Sequence, residues 1–394
     1  MEFGLFMPPQ HLPNQSATRL IQRDLELIEF ADRLGFAEAW IGEHHTGGSE
    51  IIGPSDLFIA AAVERTKRIR LGTGVATLPY HHPLEIAERA AFLDHLSFGR
   101  TMLGVGPGSL PSDAHQIGLD WSKTRSRMIE SFEAINELLT TEGTVTRETD
   151  WFTLNDAALQ VGPYSERPKY VFTAMESPFG PTLAGRYGGG LLSLSATSAK
   201  GYGALGQHWE VVEAEAAKSG TTVDRADWRI VVFLHVARTK DEALRQVTPG
   251  LGRWTEMLGR SSERVLGWLQ PDPDAPPRVG PPSTEDLVGF LESTKISVFG
   301  TPEQAVEMIQ GIVEQTGGFG KVLLHSGHEW ASVRDTYSSL ELIAAEVMPH
   351  FDGSFDHMLR SEERTIVTVE ERRAEQIQSV QKASETYKQG LQRT

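Results

Sequence analysis

Adjacent histidines are prominent among the residues of this chain that could do chemistry. Glu43-His44-His45 and His81-His82 each follow a short apolar segment, and His11 and His325 follow two others. A histidine exchanges a proton near neutral pH and can also ligate a metal ion. One isolated histidine is usually structural, but several that follow successive predicted strands favour a functional site.

Glycines and a phosphate-binding pattern accompany these histidines. Gly104-x-Gly106-x-Gly108 would let the backbone approach a planar or phosphate-bearing ligand closely. Met175-Glu176-Ser177 lies between a predicted strand and a helix, where backbone N–H groups can bind phosphate. Arg127, on another predicted helix, could add a positive charge. Tight turns, a helix N-cap and a surface arginine would explain each feature separately, but together they indicate a phosphorylated, planar cofactor.

Metal-dependent and thiol chemistry are disfavoured by the sequence. The chain contains no cysteine, which excludes disulfides, thiolate nucleophiles and zinc–cysteine sites. A metal-dependent hydrolase on a barrel usually needs an H-x-H pair on its first strand, and only His11 is found there. Adjacent residues of an extended segment point to opposite faces, so the paired histidines are poorly placed to share an ion. We therefore expect no metal site.

Strand-like and helix-like segments alternate along the chain. The predicted strands are Glu2–Met7, Ala37–Gly42, Ile69–Thr77, Thr101–Val105, Lys169–Thr173, Gly190–Ser195, Arg229–Ala237 and Lys321–His325. Such alternation predicts parallel strands, and eight units favour an α/β fold of the closed (β/α)8 type over an open doubly wound sheet. Active sites of these barrels lie on the loops after the strands, which would bring the histidines and glycines together.

Three segments do not belong to plain β/α units. Residues 144–164 resemble a small hairpin. The Pro-rich segment 261–294 is long enough to be a lid over the site or a disordered link. The last residues, 351–394, form a highly charged segment with apolar residues near heptad spacing, either a solvated helix or a helix packed on a partner subunit. We therefore expect a barrel over residues 1–350 with insertions, followed by a helical tail.

Charge and hydropathy exclude several classes of protein. The net charge of −16 argues against a nucleic acid or an anionic membrane as partner, because both bind basic surfaces. No apolar run is long enough to span a membrane. A basic region followed by an apolar one, typical of a secretory signal, is missing at the N-terminus, so we expect a cytoplasmic protein.

Several motifs in combination resemble the bacterial luciferase-like flavin-dependent monooxygenases, from Phe3 to about Phe351. They are Gly35-Phe-Ala-Glu-Ala-Trp-Ile-Gly-Glu-His-His45, Ile69-Arg-Leu-Gly-Thr-Gly-Val-Ala76, Leu93-Asp94-x-x-Ser97-x-Gly99-Arg100, Gly104-Val-Gly-Pro-Gly108 and Val298-Phe-Gly-Thr-Pro-Glu303. Within that family the chain is most similar to the limonene monooxygenase-like members.

The resemblance implies a reaction and its partners. Such enzymes take reduced FMN (FMNH2) from a separate NAD(P)H:flavin reductase and react it with O2. The C4a-peroxyflavin formed then inserts one oxygen atom into an organic substrate, here expected to be a small, largely apolar terpene, ketone or aldehyde. The family habit and the charged tail favour a homodimer or a higher homo-oligomer.

The resemblance also implies roles for individual residues. His44 matches the catalytic acid or base, and His45 lies beside it. Thr73, Gly74, Val75 and Ala76 match the strand beneath the flavin ring, which can contain a non-prolyl cis peptide bond in relatives. Gly106 matches a position next to the oxygen-carrying flavin atom. Glu176, Ser177 and Arg127 match phosphate-binding positions, and Glu43 and Met175 complete the expected cofactor site.

One departure and two alternatives remain open. Pro107 stands where luciferase has a phosphate-binding arginine, so the phosphate contacts must come from Arg127, Ser177 or elsewhere. A deazaflavin-dependent hydride-transfer enzyme on the same barrel is the first alternative. A non-catalytic flavin-binding protein is the second, although such proteins lack the histidines after the strands.

Overall fold

The computed structural model describes residues 1–391 except 9, 13, 49, 167, 195–198, 262–287, 290, 292, 294, 296, 327 and 328. The chain divides into two compact units, Met1–Met348 and Pro349–Thr394. The first contains the barrel, and the second contains a short helix and a long one. No helix among the described residues is both long and apolar enough to cross a membrane.

Parallel strands close into a barrel in the first unit, which confirms the predicted (β/α)8 fold. The strands of the chain are β1 (Glu2–Met7), β2 (Glu38–Ile41), β3 (Arg70–Thr73), β4 (Ala76–Thr77), β5 (Thr101–Gly106), β6 (Val145–Glu148), β7 (Thr153–Ala157), β8 (Tyr170–Ala174), β9 (Gly190–Ser193), β10 (Trp228–Val236), β11 (Ser297–Gly300) and β12 (Lys321–His325). The barrel order is β12-β1-β2-β3-β5-β8-β9-β10, and β10 pairs with β12 to close it. β11 pairs in parallel with the second half of β10.

Helices follow the strands. They are α1 (Ala17–Leu34), α2 (Ser55–Arg65), α3 (Pro83–Ser97), α4 (Pro111–Ile117), α5 (Thr124–Thr140), α6 (Phe179–Tyr187), α7 (Ala199–Ser219), α8 (Lys240–Ser261), α9 (Pro302–Thr316) and α10 (Val333–Leu342), with α11 (Pro349–Asp352) and α12 (Asp356–Leu391) in the second unit. Local sequence sets their ends. α1 stops at Gly35, whose φ of 91° is left-handed, and α9 starts with a capping box between Thr301 and Gln304.

The barrel interior is apolar in the middle and charged at its amino end. Phe6, Trp40, Met102, Val171, Leu192, Val231 and Leu323 form the central cluster. Below it, Arg229 donates from Nε to Glu38 Oε2 over 2.6 Å and from Nη2 to Glu38 Oε1 over 2.9 Å. Burial raises the pKa of a carboxyl, but Arg229, with help from Arg70 and Lys321, outweighs it, and the pKa of Glu38 lies below its ordinary value.

The third barrel strand is interrupted where the resemblance placed the flavin ring. β3 and β4 are separated by Gly74 and Val75, and the peptide bond between these two residues is cis. Thr73 Oγ1 donates to the carbonyl of Gly104 on β5 over 2.7 Å and accepts from its N–H over 3.0 Å. A Cβ on Gly104 would collide with the carbonyl oxygen of Thr73, so the close approach of these strands requires glycine.

The three segments outside the β/α pattern differ in how much of them the structure describes. The predicted hairpin at 144–164 is present as the antiparallel pair β6–β7. The Pro-rich segment 261–294, predicted to be a lid, lies mostly outside the described residues. The charged tail contains α12, whose side chains are exposed along nearly its whole length.

Candidate active site

A cavity of about 470 Å³, here called the mouth cavity, opens at the carboxyl ends of the barrel strands. The segments after β1, β2, β4, β5 and β8 and the end of β12 form its wall. Of the predicted site residues, the wall contains Glu43, His44, Gly74, Val75, Gly106, Met175, Glu176 and Ser177. The barrel therefore brings together residues that are up to 134 positions apart in the sequence.

His44 is held by carboxylates at one ring nitrogen. Its Nδ1 lies 3.0 Å from Asp113 Oδ2 and 3.5 Å from Glu50 Oε2. Gln10 holds Glu50 in turn, because its Nε2 donates to Glu50 Oε1 over 2.9 Å. A carboxylate at Nδ1 favours the tautomer that carries its proton there, and Nε2 is then the basic nitrogen. This arrangement on the wall of the mouth cavity suits a general acid–base.

Asp113, in the first turn of α4, organises the loop that carries both histidines. Its Oδ1 accepts from the backbone N–H of His45 over 3.1 Å and from Thr46 Oγ1 over 2.6 Å. Burial alone would raise the pKa of Asp113, but the hydrogen bonds from His44 and Thr46 outweigh it and hold the pKa below its ordinary value. The sequence analysis missed this residue.

Glu43 binds a different pair of histidines. Its Oε1 lies 3.2 Å from His45 Nε2 and 2.8 Å from His81 Nε2. These hydrogen bonds outweigh the effect of burial and lower the pKa of Glu43, while the bond to Glu43 raises the pKa of His45. In the described part of the chain, these three groups are close enough to hold a metal ion, within 4.8 Å of one another. Hydrogen bonding explains the cluster without one.

A second cavity of about 250 Å³, here called the rear cavity, lies on the other side of β3 and β4. Thr73, Ala76, His45 and His81 line it, together with apolar side chains of α2 and α3. Gly74, Val75 and Thr77 instead face the mouth cavity, and Glu43 lines both. The segment 73–77 is thus a wall between two cavities, and the adjacent histidines His44 and His45 face opposite sides of it.

A polar end of the mouth cavity is formed where β8 leads into α6. Ser177 Oγ accepts from the backbone N–H of Phe179, and Arg125 lies over the ring of Phe179 at 5.6 Å. Arg125 lines the cavity, whereas Arg127 lies over the ring of Trp151 at 5.3 Å and is not part of the wall. Residues two positions apart on a helix point about 200° apart, so only one of these arginines can face the site.

The remaining histidines after strands have structural contacts. His11 Nε2 lies 2.7 Å from Asp24 Oδ2 in a fully buried pair. His82 caps α3 by accepting from the N–H of Leu84. His325 lines the mouth cavity, and its ring stacks on Trp330 at 5.8 Å. The crowding of histidines predicted from the sequence is real, and His45 and His81 line the rear cavity with Glu43 as their partner. Among the described histidines, His44 is the one that combines a position on the wall of the mouth cavity with carboxylate partners.

The lining of the mouth cavity suits a ligand with a planar part and an anionic end. A Cβ on Gly106 would lie only 2.8 Å from Val75 Cγ2, so glycine at this position lets the Val75 side chain pack closely against β5 within the wall. Arg125, Ser177 and the backbone at the start of α6 supply positive charge and donors at the other end. These features accommodate a flavin mononucleotide.

The chain is similar in sequence to known monooxygenases. A family model described as luciferase-like monooxygenase matches residues 1–319. The chain is 46% identical over 366 residues to limonene 1,2-monooxygenase of Rhodococcus erythropolis, covering 93% of this chain and 90% of that protein. It is 40% identical over 365 residues to 4-hydroxyprotoasukamycin monooxygenase of Streptomyces nodosus subsp. asukaensis, covering 92% and 95%.

A solved structure with FMN is also similar. It is the oxygenating constituent of 3,6-diketocamphane monooxygenase of Pseudomonas putida, described as a type II Baeyer-Villiger monooxygenase in complex with FMN. The TM-score is 0.75 at 25% identity, and the match covers 89% of this chain and 98% of the other.

Proposed function

Because the chain belongs to the luciferase-like monooxygenase family and is a flavin-dependent monooxygenase, we propose that it is the oxygenating component of a two-component system. A separate NAD(P)H:flavin reductase supplies FMNH2, and one atom of O2 enters a small, largely apolar organic substrate such as a terpene, ketone or aldehyde. The observation that carries this proposal is a single cavity in which His44 lies with Gly74, Val75, Gly106 and the start of α6.

Residues of this chain would hold FMN at both ends. Arg125, Ser177 and the backbone before α6 are assigned to the phosphate, with Arg125 in the role that the family resemblance implied for Arg127. Gly106 and the Gly74–Val75 segment are assigned to the ring. When bound, reduced FMN supplies two electrons, so that one oxygen atom of O2 enters the product and the other leaves as water.

His44 moves the proton that this reaction requires. Asp113 fixes the proton on Nδ1, so Nε2 can take a proton from a group in the cavity and return it. The ionised carboxylate stabilises the imidazolium form while it exists. We assign His45 to the Glu43 cluster behind the wall, where it positions that carboxylate and does not meet the reacting atoms.

Part of the wall of the mouth cavity is apolar. Phe6, Pro8 and Leu194 contribute to this part, which favours an apolar compound and disfavours water near the reduced cofactor. Exclusion of water protects reactive oxygen-containing groups from hydrolysis and loss of peroxide. This supports a terpene, ketone or aldehyde rather than a charged metabolite.

Anaerobic titration followed by labelled oxygen tests the proposal. We expect the chain to bind reduced FMN more tightly than reduced deazaflavin, and ¹⁸O from ¹⁸O2 to appear in the product when a flavin reductase, NADPH and a panel of terpenes, ketones and aldehydes are added. Oxygen-independent turnover with the deazaflavin would establish hydride transfer instead. Binding of FMN without consumption of O2 beyond the reductase control would point to the non-catalytic alternative.

A further inference from the structure

The long helix α12 exposes a stripe of large apolar side chains. Leu359, Ile366, Val369, Ile377, Val380 and Tyr387 are each half exposed or more. We call these six residues the apolar stripe. Exposed large apolar side chains that recur on one helix face commonly mark a surface that another molecule covers.

The apolar stripe is symmetric about Arg373. Its members lie 4, 7 and 14 residues before Arg373 and at the same three distances after it. At about 100° per residue, each of these steps returns to within about 40° of the direction of Arg373. The six side chains and Arg373 therefore share one face of α12, and the pattern is the same in either chain direction.

From this symmetry, we propose that α12 packs antiparallel against α12 of a second copy, about a two-fold axis at Arg373. Ile366 then lies opposite Val380 of the second copy, Val369 opposite Ile377, and Leu359 opposite Tyr387. A surface that is complementary to itself under a two-fold rotation is the requirement for a closed homodimer. Pairing of two copies through α12 is independent of the proposed reaction.

Charge along α12 favours the antiparallel direction. Residues 356–371 contain five acidic and two basic residues, whereas 372–391 contain four basic and two acidic. Antiparallel packing brings the acidic half of each helix beside the basic half of the other, and parallel packing would bring like halves together. This local complementarity matters because a chain with a net charge of −16 otherwise repels a second copy.

Arg373 fixes the register of the pair. On the axis it faces its own symmetry mate, so the side chain must turn aside toward an acidic partner. Glu370, one turn earlier on the adjoining face, provides that partner on the second copy. Glu362 and Ser384 lie 11 residues before and after Arg373, within about 20° of its direction, so they face each other across the pair. Polar residues within an apolar helix seam commonly select one register and one number of chains.

Sedimentation equilibrium of the full chain tests the surface. We expect a dimer whose dissociation constant rises at least about 100-fold in Ile366→Asp, because each dimer loses two buried isoleucines. Val367→Asp is the matched control, since Val367 is 81% exposed but points about 120° away from the apolar stripe. A monomeric wild type, or a dimer equally tight in both variants, would overturn the proposal.

Disulfide trapping tests the direction, and the chain has no native cysteine to interfere. Arg373→Cys should cross-link with itself under oxidation. Ile366→Cys alone should not, but an equimolar mixture of Ile366→Cys and Val380→Cys chains should give the mixed dimer. Self-cross-linking of Ile366→Cys would show that the two helices are parallel. Failure of Arg373→Cys to cross-link would exclude a two-fold axis at Arg373. Either result contradicts the proposal.

Discussion

At the scale of single residues, the site is organised by carboxylates that each control particular histidines. Asp113 and Glu50 hold His44, and Glu43 holds His45 and His81. Two neighbouring histidines thus have separate partners on opposite sides of the wall formed by 73–77. The alternation of an extended segment explains this division, and it separates the proton transfer that we propose for His44 from the contacts of Glu43 behind the wall.

Replacing His44 by Ala should lower product formation about 100-fold or more, as loss of an acid–base group typically does. FMN binding, measured by fluorescence quenching, should remain within about twofold, because the residues that we propose for the phosphate and the ring lie elsewhere. His115→Ala, an exposed histidine on α4, is the control. Unchanged turnover in the His44 variant would rule out His44 as the acid–base group.

Asp113→Asn should lower turnover by about 10- to 100-fold, the range found when the partner of a functional histidine is removed. The carboxylate is ionised because its pKa lies below the ordinary value. Without this carboxylate the proton on Nδ1 of His44 is no longer fixed, so kcat should fall while the Kd for FMN stays within about twofold. An equal loss of FMN affinity would indicate a merely structural role. Asp241→Asn, which changes an exposed carboxylate on α8, should alter neither kcat nor the Kd for FMN.

The sequence predicted His44 but not its partner, for a physical reason. An Asp in the first turn of a helix is ordinarily explained by the helix dipole, and Asp113 is 69 residues from His44, so only the folded barrel brings them together. The same limit applies to Arg127. Helix periodicity shows that Arg125 and Arg127 face different directions, but not which direction faces the cavity.

At the scale of elements, helices are tied to strands by buried polar contacts. Asp32, near the end of α1, accepts three backbone N–H bonds from Lys67, Arg68 and Ile69, the residues that lead into β3. Burial opposes ionisation, but these bonds outweigh it and lower the pKa of Asp32. The contact fixes where the strand before the Gly74–Val75 wall begins.

Asp32→Asn should lower the free energy of unfolding by about 1–3 kcal/mol at pH 7, because an amide cannot accept at both oxygen positions. Since the folded pKa is below the unfolded value of 3.8, the contribution of Asp32 is complete above about pH 4 and lost as the pH falls through the folded pKa. Urea unfolding at several pH values should therefore show the two proteins converging in acid. A constant difference would contradict this.

Elements were predictable where local patterns decide them. Buried parallel strands are continuous apolar runs, so all eight barrel strands could be located, and the β6–β7 hairpin lies within the segment 144–164 that was predicted to be one. The short helix α4 was not predicted, because seven residues carry little periodicity. The break between β3 and β4 was not visible as a break either, since Thr73–Thr77 continues an apolar strand pattern.

At the scale of the whole molecule, the barrel is closed at its amino end by a buried ion pair. Glu38 on β2 and Arg229 on β10 lie 191 residues apart in sequence and meet across the interior. Arg70 adds a second contact to Glu38 at 3.1 Å, and Trp40 Nε1 donates to it over 2.9 Å. Each charge is therefore hydrogen-bonded as well as paired.

Arg229→Met should lower the free energy of unfolding by about 3–5 kcal/mol, because a buried carboxylate then lacks its main counter-charge. Glu38→Gln combined with Arg229→Met should be less destabilising than Arg229→Met alone. Arg238→Met breaks an exposed pair with Glu346 and should cost less than about 1 kcal/mol. Urea denaturation measures all three; a double variant worse than the single would refute the account.

The position of that ion pair has a consequence for how such an enzyme can change through evolution. The groups that close the barrel lie at the amino ends of the strands, and the cavity wall lies on loops at the carboxyl ends. Mutations that alter substrate choice therefore fall on segments that contribute little to closure. A lineage can acquire new substrates loop by loop while the closed end keeps the protein folded, and stabilising changes there leave the chemistry untouched.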